Sequence, residues 1–525
     1  MHRLAAPLLA LAALLALAPG PAGAAAGAAV FRMNNGAEPE TIDPALATGV
    51  PEHRIIMNLF EGLYANDPKT LAPVPGVALR HTVSKDGRVY TFTLNPAATW
   101  SNGRAVTSDD FVYAWERVLS PKTGAKYAQQ LYYVKNGEPY NKGTIHDFTE
   151  VGVKALDRST LRVTLERPTA YFLSLTTFYA LYPVPREAVE AHGRDWTRPG
   201  KIVGNGPFRL TRWVPQQTVV LEKSPTYWDA KAVALDRVVF NPTEDNTTSV
   251  KQFAAGETDW VPGNMPASQV EIWKGKPEWY AEPYLGSYFY RFNVTRPPFD
   301  DVRVRKAFAR AIDREALARH VTRAGEIAWS GFVPKTMPNY PGVRGLDFDP
   351  AEAKRLLAEA GYPGGRGFPP VELIYNTSES HRAIAQAVQQ MWKQHLGVEV
   401  QLTNLEWKVY LSRVNQLDYG VARAGWIGDY VDPNTFLDMW MTGGGNNQTG
   451  WSNARYDALV RQAARAVDPE ARVKLLVEAE TILVRDELPI APIFAYVAKG
   501  LVRRSFDGWH PNILDMHPMK AIRPR

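Results

Sequence analysis

Apolar and polar positions alternate in short runs through the first half of the chain. Val89-Tyr90-Thr91-Phe92-Thr93-Leu94 has the period of a half-buried strand, and Asn95-Pro96 closes it. Leu161 to Leu165 repeats the pattern and stops before Pro168. Between them Phe111, Trp115 and Val118 recur at i, i+4 and i+7, which predicts a helix entered through the cap Thr107-Ser108-Asp109-Asp110. Three prolines between Asn66 and Pro75 read as a crossing between domains.

The second half has longer periods. Val302 to Ala318 reads as one basic amphipathic helix with Val304, Phe308 and Ile312 on one side. Strands at 371–375 and 398–402 flank a helix at 381–396, a βαβ unit that favours a parallel sheet. A further helix is expected at 472–485, ended by Pro489 and Pro492. At 525 residues the chain exceeds one hydrophobic core, so two or three domains of α/β class are expected.

The N-terminus changes the picture. His2 and Arg3 precede an apolar run from Leu4 to Leu17, and Ala-x-Ala patterns follow at 22–26. This is the order of a secretory signal peptide, assigned to 1–29. The run is shorter than the ~20 residues that span a bilayer, and Pro19-Gly20-Pro21 closes it. The chain has no cysteine, hence no thiol for a lipid anchor near the cleavage site. A freely diffusing periplasmic protein is the expectation. A net charge of +6, mixed among 54 acidic residues, offers no basic stripe for nucleic acid. The 15 Trp, 23 Tyr and 20 Phe suit cores and the enclosure of an organic ligand. No His-Glu-x-x-His, Gly-x-Ser-x-Gly, Walker loop or thiol nucleophile occurs, and the ten histidines stand singly. Neither catalysis, a metal nor a cofactor is expected.

Several segments carry a resemblance. They are Arg32-Met33-Asn34-Asn35-Gly36 with Ile42-Asp43-Pro44, Asn58 to Leu63, Trp100-Ser101-Asn102-Gly103 with Asp109 to Trp115, and Ser224 to Trp228. Pro297 to Arg305, Leu356 to Tyr362, Tyr375 to Ser378 and Ala422 to Trp426 continue the order. Together they resemble the periplasmic oligopeptide-binding proteins of ABC importers, solute-binding protein family 5. The resemblance implies a type II periplasmic-binding-protein fold, two α/β lobes joined by a hinge plus an extra domain. Domain I would comprise 30–60, 172–284 and 497–525, domain II 61–171, and domain III 285–496. It further implies a monomer that closes over short peptides and delivers them to inner-membrane permease subunits.

A sequence-tolerant peptide binder must grip backbone amides and the two charged chain ends. Tyr419 to Asp429 is strand-like and carries Arg423 and Asp429, roughly 20 Å apart if fully extended. A peptide of about three to five residues, running antiparallel, would set its ammonium at Asp429 and its carboxylate toward Arg423 along Gly425, Trp426 and Ile427. The family's matching aspartate binds the ligand's amino terminus. His381 matches a residue near the ligand's carboxyl end and opens a helix, where N–H groups attract anions. Trp407, Trp426 and Tyr496 match pocket walls, and Thr48 and Val50 belong to a loop bordering the ligand. Tyr113 lies about 200° from Phe111 on its helix and is expected to face the cleft.

Three departures stand out. Thr48 replaces an acidic residue of relatives, and Val414 replaces a second pocket arginine, with Arg413 one position earlier on what reads as a strand. Gly286 and Ile427 stand where some relatives have cysteines. The residues leave open a different cargo on the same scaffold: a cell-wall peptide, glutathione, a nickel complex or an oligosaccharide. A secreted hydrolase, or a closed form that docks to a receptor, belongs to other classes.

Overall fold

The computed structural model describes residues 28–525 apart from Ala170, Asn264 and Val467. The signal segment lies outside the described residues. Among those described, no helix is long and apolar enough to cross a membrane.

An 11-stranded sheet runs through most of the molecule. Two long antiparallel strands, Trp279–Phe292 and Ile490–Val502, form its middle and are interrupted by register shifts at Pro283/Ser287 and Tyr288/Phe289. On one side stand Val421–Ile427, Val371–Asn376 and Val400–Leu405. On the other stand Trp260–Pro262, Val30–Asn34, Arg237–Asn241, Thr218–Lys223 and Phe208–Val214. A separate antiparallel four-stranded sheet holds Ala78–Val83, Val89–Leu94, Thr160–Thr164 and Val153–Asp157.

The Val89–Leu94 strand alternates as its sequence requires, burying Tyr90, Phe92 and Leu94. The helix Ser108–Leu119 packs beside this sheet. It starts with a capping box in which Thr107 N donates to Asp110 Oδ2 at 2.8 Å, and it buries Phe111, Trp115 and Val118. Each such side chain contributes about 1.5–3 kcal/mol by burial. The βαβ unit is present: Val371–Asn376 pairs in parallel with Val400–Leu405 across the helix Glu379–Leu396, the second strand starting two residues later than expected.

Several family-like motifs serve as staples of the fold. Asp43 takes a bidentate contact from Arg117 at 2.7 and 2.5 Å and a bond from Trp196 Nε1 at 2.9 Å. Glu61 accepts from Tyr227 and Trp228, at 2.5 and 2.6 Å, so two distant motifs meet. Trp100 Nε1 reaches Asp110 at 3.2 Å, joining two more. Arg305 is buried and donates to the carbonyls of Phe299, Asp300, Glu487 and Leu488.

Three local readings are corrected. The span 302–318 is broken: Val302–Arg310 ends, and Asp313, in extended conformation, caps a new turn by accepting from Ala316 N at 2.9 Å. Arg314 is buried there against the carbonyls of Ala309, Ile312 and Pro492, which a continuous helix would not leave free. The proline-rich crossing is a hairpin, Tyr64–Asn66 against Pro73–Pro75, its turn tied by Asp67 to Lys69 and Thr70. Arg413 and Val414 lie on the helix Trp407–Asn415 rather than on a strand.

Candidate functional site

The lobes meet around a cavity of about 310 Å³ lined from both halves of the large sheet. Contacts across it hold a closed arrangement. Trp407 Nε1 donates to Glu52 Oε1 at 3.3 Å, Thr247 Oγ1 to both oxygens of Glu379 at 3.0 and 2.9 Å, and Asn434 Nδ2 to Tyr133 OH at 2.7 Å. Tyr171 stacks on Tyr430 with ring centres 5.3 Å apart.

The Val421–Ile427 strand forms one wall. It is paired to Trp279–Phe292 along its whole length, Gly286 lying opposite Ile427. On its other edge the pairing stops at Ala422, opposite Ile374. From Arg423 onward that edge faces the cavity with no strand on it, among the described residues, and Arg423, Gly425, Trp426, Ile427, Gly428 and Asp429 line the space. Open edges of this kind accept another extended chain. Gly425 has a physical reason: a Cβ there would lie 2.5 Å from Tyr496 OH and 3.2 Å from Arg423 Nη2.

Of the two ionisable groups at the ends of this edge, Asp429 is buried and Arg423 half-buried, and among the described residues neither has an ion-pair partner. Asp429 is 9 % exposed; Gln130 Nε2 donates to its Oδ2 at 3.0 Å, and Asp429 N donates to Thr435 Oγ1 at 2.9 Å. Burial, followed by the neighbouring Asp438 carboxylate, holds its carboxyl well above the usual range. Asp438 itself is pushed up to about 8 by burial and by Asp432. Beside Asp429 stand the rings of Tyr127, Phe178, Tyr179 and Trp426: Phe178 and Tyr179 centres are 4.2 Å apart, and Tyr127 lies 4.9 Å from Phe178 and 6.0 Å from Trp426. A carboxylate set in a ring of aromatic faces suits an ammonium ion.

At the opposite end Arg423 donates to Asn376 Oδ1 at 3.2 Å and to Tyr496 OH at 2.5 Å, with its guanidinium 4.7 Å above the Tyr288 ring. Its Nε is buried without a partner, and among the described residues no carboxylate pairs with it. His381, third residue of its helix after the cap Ser378, is 2 % exposed. Burial, then Arg423, keeps its imidazole well below its ordinary value, so the ring is neutral at pH 7. The site holds a full positive charge at Arg423 and only hydrogen-bonding capacity at His381.

The cavity therefore gathers Thr48, Val50, His381, Trp407, Arg423, Gly425, Trp426, Ile427, Asp429 and Tyr496. Thr48 and Val50 flank Gly49, where a Cβ would lie 2.1 Å from Glu52 Oε2 and 3.0 Å from Trp407. Tyr113 does not belong. Its ring lies under the Arg186 guanidinium at 4.6 Å, because the back of its helix is covered by the Arg186–His192 helix rather than by the cleft. Arg413 bonds Glu372 at 2.6 Å and Asp418 at 2.9 Å, while Val414 is fully buried in a core. Arg413 thus does not replace the missing pocket arginine.

Sequence reasoning missed Tyr127, Gln130, Phe178 and Tyr179. They sit in short 3-10 turns and connections without period, so the only signal was the local density of large aromatics.

Comparison with known proteins accords with this geometry. Residues 72–448 match the family model "Bacterial extracellular solute-binding proteins, family 5 Middle". The chain is 38% identical over 484 residues to the Oligopeptide-binding protein OppA of Bacillus subtilis, covering 90% of this chain and 88% of that protein. It superposes on the Escherichia coli murein tripeptide binding protein MppA with TM-score 0.90 at 34% identity, covering 95% and 99% of the two chains. Haemophilus influenzae OppA in complex with RPPGFSPFR gives TM-score 0.90 at 32% identity, covering 95% and 99%. The chain belongs to the family 5 bacterial extracellular solute-binding proteins, with their mixed α/β fold of the periplasmic-binding type.

Proposed function

We propose that this protein captures short peptides in the cleft between its lobes and hands them to an ABC importer. One observation carries the reading. The open strand edge after Ala422 is bracketed by a buried carboxyl group, Asp429, and a half-buried guanidinium, Arg423, and among the described residues neither has an ion-pair partner. Isolated buried charges are costly. A free peptide brings an ammonium for one, a carboxylate for the other and backbone amides for the edge between them. The relatives support the cargo, since one is named for oligopeptide binding and another is solved with a nine-residue peptide.

A neutral oligosaccharide would leave both charges without partners. A cell-wall peptide fits the same edge and is the second reading, favoured by the likeness to MppA, a murein tripeptide binding protein. The role is binding rather than catalysis. Domains I, II and III are taken as 30–60 with 172–284 and 497–525, 61–171, and 285–496. After removal of its signal segment the protein would work untethered in the periplasm as a monomer, its closed shape read by inner-membrane permease subunits.

Native mass spectrometry of protein purified without denaturation tests this. The expected result is a ladder of co-purified small peptides. A single non-peptide mass would overturn it.

A further inference from the structure

A cavity of about 410 Å³ lies apart from the cleft, between the hairpin of Tyr64–Asn66 and Pro73–Pro75 and the C-terminal segment 508–523. Among the described residues, none from 285 to 496 lines it, so it is formed without the strand that carries Arg423. The cleft and this cavity share two lining residues, Met57 and Met516.

Its walls are held in place and poor in hydrogen-bonding groups. Asn512 Nδ2 donates to Pro68 O at 3.1 Å and to Met516 O at 2.8 Å, tying the C-terminal segment to the hairpin. Pro68, Pro75, Pro207 and Pro518 line the space. A proline has a locked φ and no N–H to offer. Phe60, Tyr182 and Met516 add buried apolar surface, and the Tyr182 hydroxyl donates away to Thr177 O at 3.0 Å.

The few polar groups of the lining are unequally satisfied. Glu61 accepts at both oxygens, from Tyr227 and Trp228, and burial moves its carboxyl up toward the protonated form. Lys520 is engaged by Asp229 at 2.8 Å and donates to Tyr227 OH at 2.9 Å. Asn66 Nδ2 donates to the Met516 thioether at 3.6 Å, a weak acceptor. Asp507 takes the Arg525 guanidinium at 2.8 Å, but Arg523, among the described residues, has no ion-pair partner. His510 reports the field there: burial, then Lys69 and His517, with a smaller part from Arg523, hold its imidazole below the ordinary value against Asp67. The capacity left over is therefore that of donors, a guanidinium and an amide on a largely apolar cavity.

We propose that this cavity is a second ligand site, for an organic anion with an apolar body and a single carboxylate. The proline and aromatic walls take the body, and Arg523 takes the carboxylate, with the Asn66 amide as a further donor. A cationic ligand is repelled by Arg523, and a neutral one forgoes the charge-assisted bonds. A peptide backbone finds few partners on walls of proline, so the site is separate from capture in the cleft.

The test is calorimetric titration of ligand-stripped protein at pH 7 with phenylbutyrate, phenylbutanol and phenylbutylammonium, which share one apolar body and differ in charge. Phenylbutyrate is expected to bind as one equivalent, about tenfold more tightly than either analogue. Arg523→Glu, at an exposed position, should lower its affinity about tenfold or more and leave the melting temperature unchanged. Arg523→Gln, which adds no charge, should show a loss in the same direction. Equal binding of the three probes by wild-type protein, or no binding of any, overturns the site. So does a preference for phenylbutyrate that survives in both Arg523 variants.

Discussion

The Gln130 side-chain amide donates to the Asp429 carboxylate at 3.0 Å, joining residues 299 positions apart across the closed cleft. Among the described residues, no basic side chain forms an ion pair with that carboxylate. Burial and Asp438 thus push the Asp429 carboxyl toward the protonated form.

Asp429→Asn follows from this relationship. The amide keeps the shape but cannot offer charge to a ligand ammonium. Peptide affinity should fall by about 2–5 kcal/mol, the usual cost of leaving one member of a buried charge pair alone. The melting temperature of the unliganded variant should stay level or rise, because a buried carboxyl group without an ion-pair partner has been removed. Calorimetry and thermal denaturation read the two effects separately. A folded variant that binds peptide with native affinity would end the assignment.

The ligand can be edited instead of the protein. N-acetylated trialanine should bind far more weakly than free trialanine, since acetylation removes the ammonium that would face Asp429 among the rings of Tyr127, Phe178, Tyr179 and Trp426. C-amidated trialanine should also weaken, by losing the charge facing Arg423. Equal affinity for all three peptides would contradict recognition of chain ends.

Much of this site was legible because it lies on one strand. Arg423, Gly425, Trp426, Ile427 and Asp429 share a continuous segment whose alternation and end charges are visible in sequence. The opposite wall was not, since Tyr127, Gln130, Phe178 and Tyr179 are delivered by short turns whose placement depends on tertiary packing. The break at Asp313 escaped for a related reason. Val304, Phe308 and Ile312 keep helical phase across it, and only the burial of Arg314 against three carbonyls shows why the chain turns there. Helix phase also misplaced Tyr113, because it says which face a residue occupies and not what covers that face.

Tyr127→Ala should weaken binding about tenfold or more, as a cation loses one aromatic face and Asp429 a neighbour. Tyr113→Ala should leave affinity within about twofold and at most lower stability slightly, by loss of its contact with Arg186. The ratio of the two effects in calorimetry is the discriminating quantity. A larger loss at Tyr113 would mean that the helix Ser108–Leu119 faces the ligand after all.

Glu52 sets a pH dependence with a definite sign. Its carboxyl is pushed up to about 7, chiefly by burial, although Glu40 N and Trp407 Nε1 donate to it. Its second oxygen is buried without a partner. In the unfolded chain a glutamate titrates near the ordinary 4.5. Between these values the native state holds a proton that the unfolded chain has released, so stability falls as pH rises through the window. The contribution is fully present below about pH 4.5 and lost above about pH 7. Its full size is ~3 kcal/mol. Glu480, buried and likewise raised to about 7, acts in the same direction, so wild-type protein alone would not isolate the effect. Glu52→Gln does: the neutral amide resembles the protonated acid, and the two proteins should melt together near pH 4. At pH 8 the variant should be the more stable by up to that amount. A constant offset between the two melting curves at both pH values would show that Glu52 does not titrate in this range.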